Sequence, residues 1–268
     1  MKTNPLIDYT LHLADNTLIL AQRNAEWCGH GPILEQDIAI TNISLDLIGQ
    51  ARNFYQYAAQ LINESPQSEG LKVSPTGGDL EGASEDTLAY FRTEREFKNC
   101  LLVELPNGDW GQTILRQFFF SAYQYLLYTQ LQQSADEQLS AIAAKAIKEV
   151  TYHLRWSSEW VIRLGDGTEE SRTRMLRAID ELSMYTGEMF DPSGYELEVI
   201  KTKQGVNMAA LKETWIRKIK EVLDEATLPF PGNTFFQKGG KEGKHTEHLG
   251  YILTELQYIQ RTYPGAEW

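Results

Sequence analysis

Residues 26–55, EWCGHGPILEQDIAITNISLDLIGQARNFY, leave little room for any architecture but long helices packed side by side. Before this stretch, Leu11, Ala14, Leu18, Ala21 and Ala25 recur at steps of three and four, which predicts a helix over 5–28. Within and beyond it, Ile40, Ile43, Leu47, Ala51, Phe54, Ala58 and Leu61 repeat the pattern over 32–63. Between the two sit Gly29, Gly31 and Pro32. Glycine ends a helix cheaply because it tolerates the left-handed conformation, and proline suits the first turn of the next helix. Glu35 and Asp37 then place negative charge at the positive end of the new helix dipole. So short a turn forces the two helices antiparallel. A helix of about thirty residues is long for a globular protein but ordinary in a bundle.

The rest of the chain keeps the helical period. Proline, glycine and serine over 65–82 predict a surface loop. Ser84 is a candidate N-cap, with Glu85 and Asp86 in the first turn of a helical segment running through Leu88, Phe91, Phe97 and Leu101 to Pro106. Asp109 is placed to cap a helix over 110–133 that is nearly uncharged all round, with Phe118, Phe119, Phe120, Tyr123, Tyr125, Leu126, Leu127 and Tyr128. A helix without a charged face is buried on several sides or lies under a partner. A fourth long helix over 136–164 carries Leu139, Ile142, Ala146, Val150, His153, Ser157 and Val161 in one stripe. Thr168 is expected to cap a helix ending near 187, and 190–206 reads as irregular, with extended backbone over 195–201. Asn207 is expected to cap a helix with Leu211, Trp215, Ile219 and Val222; a last helix spans about 246–261. The prediction is an all-α protein of one domain over 1–268, with a core bundle over about 5–165 and a helical extension over about 168–268.

Charge narrows the function. With 25 basic against 37 acidic residues the net charge is −12, which argues against nucleic acid or an anionic membrane as partner. The opening MKTNPLIDYT lacks the basic-then-apolar pattern of a signal peptide, and the uncharged stretch 117–135 is too polar to span a bilayer, so a cytoplasmic protein is expected. Cys28 and Cys100 form no CxxC pair; Cys28 reads as a small apolar residue at a packed turn. No Gly-x-Ser-x-Gly occurs, and Gly165–Asp166–Gly167 is a helix-to-helix turn rather than a phosphate loop.

A long helical bundle invites the di-iron test. Such proteins place a Glu on each of two helices and a Glu-x-x-His pair on each of the other two, because positions three apart share a face. The five histidines are His12, His30, His153, His245 and His248. The Glu-x-x-His at Glu242 and His245 lies in a glycine-rich loop, where nothing holds both on one face. His153 is on the inward stripe, but Val150 stands three before it; Glu149 stands four before it and is displaced from the stripe. His245 and His248 read as solvated loop histidines, and Glu26 and His30 as capping groups beside Trp27. Asp46, Gln50 and Asn53 form a polar strip on the second helix, solvated unless its members bond one another or His153. An ordinary di-iron site cannot be assembled from these residues.

Four stretches carry a resemblance: LILAQRNAEWCGHGPILEQDIAITNISLDLIGQAR, FRTEREFKNCLLVELPNGDW, KEVTYHLRWSSEWVIRLGDGTEES and GKHTEHLGYILTELQYIQRTYPGAEW. The chain resembles, over nearly its whole length, the non-catalytic C subunits of bacterial ring-1,2-phenylacetyl-CoA epoxidases. The resemblance implies a ferritin-like four-helix bundle, paralogous to a catalytic A subunit that carries the di-iron site. It implies no catalytic residue, metal ligand or cofactor in this chain, with Leu47, Gln50, Val150 and His153 as vestigial bundle-core positions. It also implies pairing with that di-iron subunit in phenylacetate breakdown, with electrons supplied from NADPH through a reductase subunit. The 13 Tyr, 10 Phe and 6 Trp are then expected to furnish a partner surface beyond the core, with the isolated chain a monomer or homodimer. The alternative is a stand-alone metal-dependent oxidase or hydroxylase using Glu26, Glu149 and His153.

Overall fold

The computed structural model describes residues 4–65, 82–232, 235–264 and 266. Helix α1 (Pro5–Ala25) starts under an Asn4 side chain that accepts from the Leu6 N–H. After the turn at Gly29, whose φ is +80°, α2 (Leu34–Glu64) runs back along it. Pro32 lies outside α2, and the cap Ile33 has no side chain to offer the first amides. Asp37 instead reaches back to accept from the Gly31 N–H at 2.9 Å, which lowers the pKa of its carboxyl. A side chain at Gly31 would meet Asp37 at 2.7 Å, so this closure requires glycine.

The expected loop over 65–82 falls almost wholly outside the described residues. The helical segment expected from Ser84 to Pro106 is broken into α3 (Glu85–Tyr90), a 3-10 turn (Glu94–Glu96) and α4 (Leu101–Glu104). The cause is local competition: the Thr93 N–H and hydroxyl both donate to Glu96, while Arg92 turns its guanidinium inward. Helices α5 (Trp110–Leu131) and α6 (Glu137–Gly165) start under Asp109 and Asp136 and form the second hairpin. At Gly165 a side chain would meet the Ala226 carbonyl at 2.5 Å.

Next come α7 (Glu169–Leu182), two 3-10 turns (Ser183–Tyr185 and Gly187–Phe190), α8 (Gly194–Lys201), α9 (Lys212–Glu225) and α10 (Glu247–Thr262). Three expectations change here. Residues 194–201 are helical, not extended, because Ser193 and Glu196 form a capping box. Asn207 caps nothing with its side chain; a 3-10 turn (Met208–Leu211) leads into α9. The helix from Thr168 stops at Leu182 rather than near 187.

Two antiparallel hairpins, α1/α2 and α5/α6, thus lie together with α2 against α6, joined by the long connection 65–109. That is the ferritin-like arrangement of a four-helix bundle with one crossover. The later helices clothe it: α7 and α9 pack on α5, and α8 and α10 on α1. Every residue of α1 from Leu6 to Ala21 is buried. In α5, Phe118, Phe119, Phe120, Tyr123 and Tyr128 are buried inside this chain, so its aromatic face is covered by the chain's own helices and is not a partner surface. No strand occurs among the described residues, and none of their helices is long and apolar enough to cross a membrane.

Candidate functional site

The helical period of α2 turns Ile43, Leu47, Gln50 and Phe54 inward, and that of α6 turns Ala146, Val150, His153 and Ser157 inward; all eight are buried. The structure therefore brings Leu47, Gln50, Val150 and His153 to the seam where the hairpins meet, the place a ferritin-like bundle uses for metal. Here Gln50 organises the polar groups. Its side-chain oxygen accepts from Gln124 at 2.9 Å and from the Tyr128 hydroxyl at 3.2 Å, and its amide donates to Glu149 at 2.9 Å. His153 meets Asp46 through Nε2 at 3.0 Å, while its buried Nδ1 has no partner. Burial raises the pKa of the Tyr128 phenol, which stays protonated.

The chemistry of these groups does not suit a di-iron centre. Leu47 and Val150 offer no donor, Gln50 offers a neutral amide already engaged, and the carboxylates of Asp46 and Glu149 are drawn to separate partners at the edge of the seam. Among the described residues no three His, Cys, Asp or Glu side chains gather as a metal site. The alternative trio is not assembled: Glu26 is bound to Arg23 at 2.8 Å and Asn107 at 2.8 Å, away from Glu149 and His153. The polar strip of α2 is thus not simply solvated, because Asp46 and Gln50 bond inward.

A second set of buried charges lies outside what the helical period predicts. Asp15 of α1 accepts from Tyr55 at 2.5 Å, from the Lys98 N–H at 2.8 Å and from the Arg92 guanidinium, which lies 4.2 Å from the Phe97 ring centroid. Glu196 holds the Lys241 ammonium at 3.0 Å, and His12 donates through Nδ1 to the Lys98 carbonyl at 2.7 Å. Burial, resisted by the nearby Glu196, lowers the His12 pKa to about 4. Glu104 accepts from His245 at 2.7 Å, from the Thr246 N–H at 2.7 Å and from Asn99 at 2.8 Å. The His245 side chain is therefore buried and bonded, not a solvated loop group. Burial disfavours its charged form, but Glu104 outweighs this and the His245 pKa is raised. These clusters clip the crossover and the C-terminal segments onto α1. A weak signal existed: charged residues placed inside otherwise apolar helical runs, as at Asp15 and Glu104. At the first turn, His30 pairs with the Cys28 carbonyl at 3.1 Å, and Cys28 is exposed rather than packed.

Fold and centre together define a ferritin-like helical bundle whose middle is joined by the hydrogen bonds of Gln50 to Gln124, Tyr128 and Glu149, with His153 paired to Asp46. Within that class the chain belongs to the phenylacetic acid catabolic protein family, whose pattern matches residues 1–268. It is 47% identical over 265 residues to the C subunit of 1,2-phenylacetyl-CoA epoxidase from Escherichia coli strain K12, an alignment covering 99% of this chain and 100% of that protein.

Proposed function

We propose that this chain is a non-catalytic, structural subunit of a cytoplasmic multicomponent oxygenase that epoxidises the ring of phenylacetyl-CoA. In this reading it pairs with a di-iron catalytic subunit, served in turn by a reductase, and carries no metal itself. Full-length similarity to a component of such an epoxidase supports the reading, and so does the donor-poor seam at Leu47, Gln50 and Val150.

The observation that carries the pairing is on the outer face of α2. Leu34, Ile38, Leu45 and Ile48 are 72%, 51%, 60% and 43% exposed. They repeat at four, seven and three residues, a seam spacing that lets one long helix lie along another. A row of exposed apolar side chains along one helix face supports a protein interface there. The α2 stripe is therefore the docking face for the catalytic subunit.

The test is co-purification of the two subunits with an Ile38→Glu, Leu45→Glu double variant. Loss of the complex by gel filtration, with the melting temperature of the free chain unchanged, is the expected result. A variant that still elutes with the catalytic subunit at wild-type proportion would rule out this face. Aerobic purification of the chain alone, without chelators, should give no stoichiometric iron; a stoichiometric content would overturn the non-catalytic reading.

A further inference from the structure

Away from the bundle seam and from the α2 stripe, a cup of aromatic rings opens beside α9. Phe119 of α5, Phe190 of the second 3-10 turn, Trp215 and Ile216 of α9, and Phe230 and Phe236 of the following loop line a cavity of about 190 Å³. Its inner rings are fixed. Trp215 donates its indole N–H to the Phe119 carbonyl at 3.1 Å, and its ring stands 5.7 Å from Phe119 and 5.3 Å from Phe190, tilted to both. Gly187 admits the outer wall, since a side chain there would meet the Phe236 ring at 2.2 Å.

One charge at the mouth meets a ring rather than an acid. Lys212, half-buried, has its ammonium 5.4 Å from the Phe236 centroid and no carboxylate partner among the described residues. Its neighbours in the adjoining depression are already satisfied. Lys238 is paired with Asp191 at 3.0 Å, and Glu188 accepts from the Leu101 and Gly239 amides at 2.8 and 2.7 Å.

A closed apolar cavity of about 150 Å³ takes up benzene, so an open cup of about 190 Å³ has room for a single ring. Tilted aromatic walls present edges and faces to such a ring. A partly desolvated ammonium at the rim favours an anionic arm and repels a cationic one. We propose that this cup binds a monocyclic aryl carboxylate, with the ring between Phe119, Phe190 and Trp215 and the carboxylate on Lys212. The proposal is independent of the pairing on α2 and concerns the chain by itself.

The experiment is fluorine NMR titration of the full chain with 4-fluorobenzoate and, separately, with fluorobenzene. Saturable binding of 4-fluorobenzoate with a Kd of about 1 mM or tighter is expected. Lys212→Met should weaken it about tenfold or more, the scale of one charge-assisted hydrogen bond, while changing fluorobenzene binding less than about twofold. Ile216→Trp, at a half-buried lining position, should fill the cup and abolish both signals with the far-UV spectrum unchanged. Failure of 4-fluorobenzoate to saturate overturns the proposal. So does binding that survives Ile216→Trp, which would place it elsewhere, or binding unaffected by Lys212→Met, which would leave the cup without a preference for acids.

Discussion

At the scale of single residues, Val150 shows what has replaced ligand chemistry in the seam. It is fully buried beside His153, so Val150→Glu would place a carboxylate among apolar neighbours with no metal to neutralise it. An unpaired polar group in such a place costs on the order of several kcal/mol. Val150→Glu should lower the melting temperature sharply, whereas Glu149→Ala, at the half-buried edge, should lower it less. Equal melting of Val150→Glu and wild type would mean that α6 presents another face. Two buried histidines set opposite pH limits. Unfolded histidine titrates near 6.5. His12 stays neutral in the fold down to about 4, so between these values the unfolded chain holds the extra proton and stability falls as pH falls. For His245 the folded pKa is raised, so the native state holds the extra proton and stability is lost as pH rises from about 6.5 through that higher value. Urea midpoints against pH should lose slope on the acid limb in His12→Gln and on the alkaline limb in His245→Gln. Unchanged slopes in both variants would contradict this assignment.

At the scale of elements, legibility followed the range of the interactions. The α1/α2 hairpin and the inward stripe of α6 were readable because apolar period and turn chemistry are local. Helix α8 has a local signal too, the capping box of Ser193 and Glu196, but eight residues are too few for an apolar period to stand out beside it. The break in the crossover combines a local signal only three residues long, the capping box of Thr93 and Glu96, with a distant bond. Arg92 leaves the helical path to reach Asp15, 77 residues earlier, and no local pattern announces that bond. Gln50 was recognised as a polar position on α2, but its partners Gln124 and Glu149 are 74 and 99 residues away. The Asp15–Arg92–Tyr55 cluster should be the pin that fixes the crossover to both helices of the first hairpin. Removing one member of a buried ion pair costs about 3–5 kcal/mol, because the other charge is stranded. Arg92→Leu should therefore destabilise strongly, and adding Asp15→Asn should recover part of the loss. A double variant as unstable as the sum of the singles would show that the two residues do not act together.

At the scale of the molecule, the chain divides into an inner pair of helices, α1 and α5, and an outer pair, α2 and α6, which keep open faces. The assembly proposed for α2 rests on apolar contact, so it should survive moderate salt, which screens exposed charges but not buried apolar surface. Gel filtration of the mixed subunits across a salt series checks this, and dissociation at moderate salt would point to a charged interface instead. The envelopment of α1 has a consequence for how the chain comes to fold. Helix α1 packs against α8 and α10, which follow it much later in the sequence, and the Tyr9 hydroxyl accepts from the Val206 amide across 197 residues. Contacts so distant along the chain delay folding, because loop closure precedes any gain from them. A nascent chain can pair α1 with α2 and the crossover early, but the face of α1 that meets α8 and α10 stays bare until those helices have been made. Loss of α10 would thus expose α1, the helix farthest from it along the sequence.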